Sequence, residues 1–246
     1  MRREGAATPD DLIATRKRLA AEKGVQFIES GMVIGLGHGS TAAFAIRKIA
    51  ALLQGGELTD IVAVPCSNEA AAMAEALGIP LTTLEAHPHV DVTIDGADEV
   101  DPDMNLIKGG GGALLREKIV ARASRREIIV VDESKLSRQL GIRFALPVEV
   151  APSTETAEAE YLVSLGADVT RRGGEPPFVT DGGNHILDCS WPGIENANAL
   201  AQQLNERPGI ADHGLFLGLA TDLIVAGDSG IHHFARGQDW TAVIVP

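Results

Sequence analysis

A lysine, four consecutive glycines and a carboxylate stand in one short run, Lys108-Gly109-Gly110-Gly111-Gly112-Ala113-Leu114-Leu115-Arg116-Glu117-Lys118. It follows closely on Asp95-Gly96-Ala97-Asp98-Glu99. Each glycine weakens regular structure by roughly 0.5–1 kcal/mol relative to alanine, so four together mark a backbone that must come close to something. A glycine loop opening a helix presents free N–H groups and the positive end of the helix dipole, which suits an anion or a developing oxyanion. Glu117 falls in the first turns of that helix, where the dipole favours its charged form. An ionised carboxylate beside an oxyanion-stabilising loop is equipment for moving a proton off a carbon next to a carbonyl.

Taken alone, Asp95 and Asp98 read as a solvated turn or a cap. Beside Glu117 and Lys108 they become a cluster whose proton affinities can be pushed apart. Metal binding by Asp95, Asp98 and Glu99 is the rival reading. The seven histidines show no ligand spacing, since His87 and His89 sit in a loop and His232 and His233 point different ways in an extended segment. A second glycine loop, Gly35-Leu36-Gly37-His38-Gly39-Ser40-Thr41, superficially suggests a dinucleotide fingerprint, but Ser40 replaces its third glycine. The hydroxyls and backbone donors of Ser40 and Thr41 suit a single phosphate at a helix start. Cys66, with no base partner nearby in sequence, reads as a small buried residue.

The positioning elements follow from periodicity and caps. Thr8, Pro9, Asp10 and Asp11 open a helix over 8–30. Strand Met32–Leu36 leads through the second glycine loop to a helix over 40–53. Strand Ile61–Val64 precedes a helix over 68–77, and strand Val90–Ile94 precedes one over 112–123, with strand Ile128–Val131 after it. Alternating apolar strands and helices predict an α/β, Rossmann-like parallel sheet covered on both faces. Ligands of such sheets sit beyond the carboxyl ends of the strands. Gly37–Thr41, Ser67, Asp95–Asp98 and Asp132–Lys135 all follow strand ends and are expected in one cleft.

The rhythm changes near residue 142. Strand Leu146–Val150, a helix over 154–165, a hairpin of Phe178–Thr180 with His185–Asp188, and a helix over 194–205 predict an inserted smaller α+β domain. Gly214–Leu219 and Asp222–Ala226 are expected to return to the main sheet. The predicted division is 1–142 with 213–246 for the larger domain and 143–212 for the smaller.

The chain of 246 residues is 45% hydrophobic and 22% charged, as in a globular protein of one or two domains. A formal net charge of −13 argues against a nucleic-acid surface. No apolar stretch approaches the ~20 residues of a membrane helix. Met1-Arg2-Arg3-Glu4-Gly5-Ala6 lacks the apolar core of a secretory signal. Two cysteines without paired spacing suit a reducing cytoplasm.

The Asp95–Glu99 and Lys108–Lys118 segments resemble the ribose-5-phosphate isomerase A family, and so does Gly35–Thr41. The similarity continues through Val131–Lys135, Leu146–Val150, Val179–Asn184, Pro208–Ile210 and Gly214–Phe216, across nearly the whole chain. The resemblance implies interconversion of ribose 5-phosphate and ribulose 5-phosphate through an enediolate, in the non-oxidative pentose phosphate pathway, with no cofactor and no metal. It implies Glu117, Asp95, Asp98 and Lys108 as catalytic residues. Glu117 would carry the proton between C2 and C1, Lys108, the Gly109–Gly112 amides and Asp98 would serve the oxygen, and Asp95 would assist ring opening. Substrate contacts are implied for Lys17, Gly37, His38, Gly39, Ser40, Thr41, Asp95, Gly96, Ala97, Asp98, Lys108, Gly109, Gly110, Gly111 and Lys135, with Lys17 and Lys135 at the phosphate. The chain departs from the family at His38, where threonine is usual. A homo-oligomer, dimer or tetramer, is expected, with a small phosphorylated sugar as ligand. A sugar-phosphate-sensing regulator and a dinucleotide-dependent dehydrogenase are the competing classes.

Overall fold

The computed structural model describes residues 8–240. The reading of residues 1–6 and the end of the larger domain, 241–246, lie outside the described residues. Helix α1 (Pro9–Val25) starts as its sequence dictates. Thr8 Oγ accepts from the Asp11 amide at 3.2 Å, and the Asp11 carboxylate accepts from the Thr8 amide at 3.1 Å, a reciprocal cap. The helix ends at Val25 rather than 30, because tight three-residue bonds from Phe27 to Gly24 and from Ile28 to Val25 turn the chain toward the sheet.

The succeeding elements are β1 (Val33–Leu36), α2 (Ser40–Gln54), β2 (Val62–Pro65), α3 (Asn68–Ala76), β3 (Val90–Asp95), β4 (Glu99–Val100), β5 (Leu106–Ile107), α4 (Leu114–Ala123) and β6 (Ser124–Asp132). Then come β7 (Leu146–Val150), α5 (Glu155–Ser164), β8 (Asp168–Arg171), β9 (His185–Ser190), α6 (Ala197–Asn205), β10 (Ile210–His213), β11 (Leu215–Phe216), β12 (Asp222–Gly227) and β13 (Gly230–Ala235).

The main sheet runs β13-β12-β6-β3-β1-β2, parallel except for the antiparallel edge strand β13. Side chains alternate across it. Ile128 and Val130 of β6 join the core under α1 and α2, while Ile129 and Val131 join a second core with Leu106 and Phe216. Burial on both faces is why these strands read as continuous apolar runs.

Residues 146–213 supply a separate antiparallel sheet, β10-β7-β9-β8, with its own core of Val148, Leu162, Leu187 and Leu204. Two expectations fail here. Phe178–Thr180 is not a strand, and β9 pairs with β7 and β8 instead. Both edges of β9 are thereby taken. The turn expected at Asp181–Asn184 does form, with the Thr180 amide donating to the Asn184 carbonyl at 2.8 Å and buried Glu149 Oε1 accepting from Thr180 Oγ1 at 2.8 Å and Asn184 Nδ2 at 3.0 Å. Leu215–Phe216 does not return to the main sheet either. It pairs with β5 in a small sheet, β11-β5-β4, and only β12 rejoins the large one.

Candidate active site

Beyond the carboxyl ends of β1, β3 and β6 lies a cleft of about 450 Å³ including its open mouth. Lys17, His38, Gly39, Ser40, Thr41, Gly96, Ala97, Asp98, Lys108, Gly109, Gly110, Gly111, Glu117 and Lys135 line it. Thus the structure brings together almost every residue singled out in the sequence. Gly37 and Asp95 stand directly behind this lining.

Asp95 ends β3 with its carboxylate fully buried. Its Oδ1 accepts from the amides of His38 at 3.1 Å and Gly96 at 2.7 Å, and Oδ2 lies 3.0 Å from Lys108 Nζ. Gly37 leaves room for it, since a Cβ there would sit 2.2 Å from Oδ1. Asp95 therefore braces the floor of the site.

Lys108 is 2% exposed and lies 2.6 Å from the Gly96 carbonyl and 2.9 Å from Glu117 Oε1. Burial works against its charge, but Asp95 and Glu117 outweigh that and raise its pKa. The Glu117 pKa moves the other way from an ordinary buried ion pair. Burial pushes it up to about 7, with Asp95 and Asp98 adding to the rise and Lys108 opposing it. Oε1 of Glu117 is held by Lys108, whereas buried Oε2 has no hydrogen-bond partner among the described residues. Glu117 is thus a carboxylate with one oxygen fixed and one free.

The glycine loop is shaped by close approaches. Gly109, at φ 102°, has a conformation L residues rarely adopt, and a Cβ on Gly111 would lie 2.3 Å from His38 Nε2. Of its four amides, Gly110 donates to Asp98 Oδ2 at 2.8 Å and Gly112 to the Gly109 carbonyl at 2.9 Å. The expected set of four oxyanion donors is therefore smaller: Gly109 and Gly111 are the loop amides with no acceptor among the described residues. Asp98 is fixed by the loop rather than solvated.

At the other end, Gly39 precedes α2, whose first amides face the cleft rim as helix N-termini do. Lys17 reaches from α1 to Ser40 Oγ at 3.0 Å, and Lys135 arrives from the turn after β6. His38 crosses between the two loops, with Nδ1 2.9 Å from Ser67 Oγ. Ser67 itself caps α3 and does not line the cleft.

The three acids of the metal reading diverge. Asp95 bonds to the His38 and Gly96 amides, Asp98 to Gly110, and Glu99 to the amides of Gly141 at 2.8 Å and Arg143 at 3.1 Å. Among the described residues no group of three or more His, Cys, Asp or Glu is arranged to hold a metal ion. The thiol of Cys66 is fully buried, and burial first, then Asp95, Glu117 and Glu127, drives its pKa well up, so it stays a protonated packing group.

Several residues at the site carry no local sequence signal. Glu127, one strand over from Thr93, is buried with neither carboxylate oxygen partnered among the described residues. Burial, then Asp95, raises its pKa well above the usual range. Arg172, after β8, donates to the carbonyls of Gly109 at 2.8 Å and Gly110 at 3.2 Å. Asp181 accepts from the Asn68 amide at 2.7 Å and from Arg116 at 3.2 Å. Lys118, which closes the sequence motif, points away from the cleft to Asp212 and the His213 carbonyl.

Fold and site together define an α/β enzyme built to move a proton within a small phosphorylated molecule. Comparison with known proteins narrows this. The family "Ribose 5-phosphate isomerase A (phosphoriboisomerase A)" matches residues 62–230. A ribose-5-phosphate isomerase A of Chloroflexus aurantiacus is 57% identical over 221 residues, covering 89% of this chain and 92% of the relative. The solved ribose 5-phosphate isomerase A of Methanocaldococcus jannaschii is 38% identical, covers 90% of this chain and 99% of its own, and superposes with a TM-score of 0.86. A D-ribose-5-phosphate isomerase solved in complex with phospho-erythronic acid is 39% identical, covers 91% and 99%, and gives 0.88. The chain belongs to the ribose 5-phosphate isomerase A family and is an aldose–ketose isomerase.

Proposed function

We propose the residue roles through which this chain interconverts ribose 5-phosphate and ribulose 5-phosphate. The free Oε2 of Glu117 takes the proton from C2 of the open-chain sugar, and the electron pair moves into the C1 carbonyl to give an enediolate. Lys108 and the Gly109 and Gly111 amides stabilise the developing negative oxygen. Protonated Glu117 returns the proton to C1, the proton of O2 passes to the Asp98 carboxylate as O2 becomes the new carbonyl, and Asp98 hands that same proton to O1. Asp95 fixes Lys108 and the His38 amide; ring opening falls to groups that line the cleft. Lys17, Ser40, Thr41, Lys135 and the start of α2 hold the phosphate, with His38 and Gly39 contributing backbone. The observation carrying the reading is Glu117 itself, buried, with a pKa near neutrality, one oxygen anchored and the other free.

The division at residues 142–143 and 212–213 belongs to the same proposal, supported by the separate sheets and cores. So does a cytoplasmic homo-oligomer, dimer or tetramer. Buried unpaired Cys66 and Cys189 suit a reducing compartment, and exposed Leu12, Ile13 and Ile119 offer apolar surface. No described helix is long and apolar enough to cross a membrane.

Replacing the base tests the scheme. Glu117→Gln keeps shape but cannot accept the proton, so turnover falls about 10²–10⁴-fold while thermal unfolding stays cooperative. Near-normal ketose formation by that variant would remove Glu117 from the reaction.

A further inference from the structure

The main sheet's loops and the glycine loop after β5 line the catalytic cleft, yet one wall is pinned from the smaller, four-stranded sheet. Arg172 follows directly on β8, with its amide bonded to the Ile186 carbonyl at 2.9 Å. Its guanidinium is held by Asp188 of β9, Nε donating to Oδ2 at 2.9 Å and Nη2 to Oδ1. That fork-to-fork pairing leaves Nη1 aimed outward, and it meets the carbonyls of Gly109 at 2.8 Å and Gly110 at 3.2 Å. Phe178 packs beside the guanidinium, 5.9 Å from its carbon, and closes against Gly112, where a Cβ would lie 2.4 Å from its ring.

A trans peptide points its C=O and N–H in opposite directions. Fixing the Gly109 carbonyl therefore turns the Gly110 N–H away from Arg172, and it is found donating to Asp98. Fixing the Gly110 carbonyl does the same for the Gly111 N–H, one of the two loop amides left without an acceptor. Glycine loops have many accessible conformations, so an unpinned loop would spend much of its time with these amides misdirected.

We propose that Arg172, held by Asp188, is a positioning residue that sets the two peptide planes Gly109–Gly110 and Gly110–Gly111. It thereby aims the Gly111 amide at the reacting oxygen and holds Asp98 in place. The inference rests on the assignment of these loop amides to the enediolate oxygen. It gives the smaller sheet a part in catalysis without any contact with substrate, and the link spans more than sixty residues of sequence.

The test is steady-state kinetics of Arg172→Ala with ribose 5-phosphate, with and without added guanidinium far below denaturing concentration. Misdirecting one oxyanion donor lowers kcat by about 10²-fold. KM stays within about threefold, because the phosphate contacts are untouched. Guanidinium restores a measurable part of kcat in Arg172→Ala and none in Glu117→Gln, and affinity for phospho-erythronic acid falls along with kcat. Asp188→Asn, which loosens the fork but keeps it, shifts kcat in the same direction by less. Unchanged kcat, or a loss confined to KM, overturns the inference. If Arg172→Ala does not fold, Arg172→Lys keeps the charge and loses the fork, and wild-type kcat in that variant overturns it equally. The two readings separate cleanly. Full activity in Glu117→Gln refutes the proton-transfer scheme, whereas full activity in Arg172→Ala with an inactive Glu117→Gln refutes only the role of Arg172.

Discussion

The two ends of the cleft are charged in opposite styles. At the proton-transfer end Asp95, Lys108 and Glu117 are at most 3% exposed, and Glu127 lies behind them. At the end proposed for the phosphate, Lys17, Thr41 and Lys135 are half-buried and Ser40 is exposed. Buried charges feel one another strongly, and the environment sets which of them is ionised. Charges open to water are screened and act mainly by attracting an anion. The contrast fits the two tasks: a base must have its proton affinity adjusted, whereas a phosphate needs only cations and donors that converge.

Removing a charge from each end should therefore give different kinds of damage. The largest effect is expected at Lys108. Lys108→Met leaves Asp95 and Glu117 as buried acids without their cation, a loss of about 3–5 kcal/mol in stability. Chemical denaturation checks this, and turnover should vanish together with the lost stability. A variant as stable as the parent would show that the acid cluster does not depend on Lys108.

At the open end, Lys135→Ala should leave stability unchanged. It should raise KM for ribose 5-phosphate more than it affects unphosphorylated ribose, by about 1.5–3 kcal/mol of lost charge-assisted contact. Equal effects on both substrates would separate this lysine from the phosphate.

The smallest of these effects is in the pH profile. Glu117, with its pKa pushed up to about 7, must be ionised to accept a proton. Below that pH kcat/KM should fall about tenfold per unit as the carboxyl holds its proton, and above it the rate should level off. The sign for stability is opposite. A carboxyl whose folded pKa is raised gives its full contribution below its ordinary value and loses it as pH rises toward 7. An acid limb near the usual carboxylate range would show that burial does not tune this group.

What the sequence shows of the site divides along the same line. The glycine loops, Asp98, Lys108, Glu117, Ser40 and Lys135 were readable because each sits at a strand end or helix start, where local chemistry and strand order fix its place. The strands of the main sheet were readable for the same reason, as apolar runs. The partners of Asp95, the His38 and Gly96 amides and Lys108, are not legible in the sequence, because they are set by how β1 and β3 meet. Nothing local marks Arg172 as a neighbour of Gly109, and nothing local shows that the Gly110 amide is taken by Asp98. Phe178–Thr180 reads as half a hairpin, since nothing in its spacing shows that β7 and β8 take both edges of β9.

The central claim is that one carboxylate, Glu117, carries the hydrogen from C2 to C1 as a proton. Its most direct test is the isomerisation of ribose 5-phosphate in heavy water with excess chelator present, read by the deuterium content at C1 of the ribulose 5-phosphate formed. A proton held on a carboxyl group exchanges with solvent before it returns, so the account predicts appreciable deuterium at C1 and undiminished activity. Activity abolished by the chelator, with no deuterium at C1 when metal is restored, would contradict it and point to a metal-assisted hydride shift.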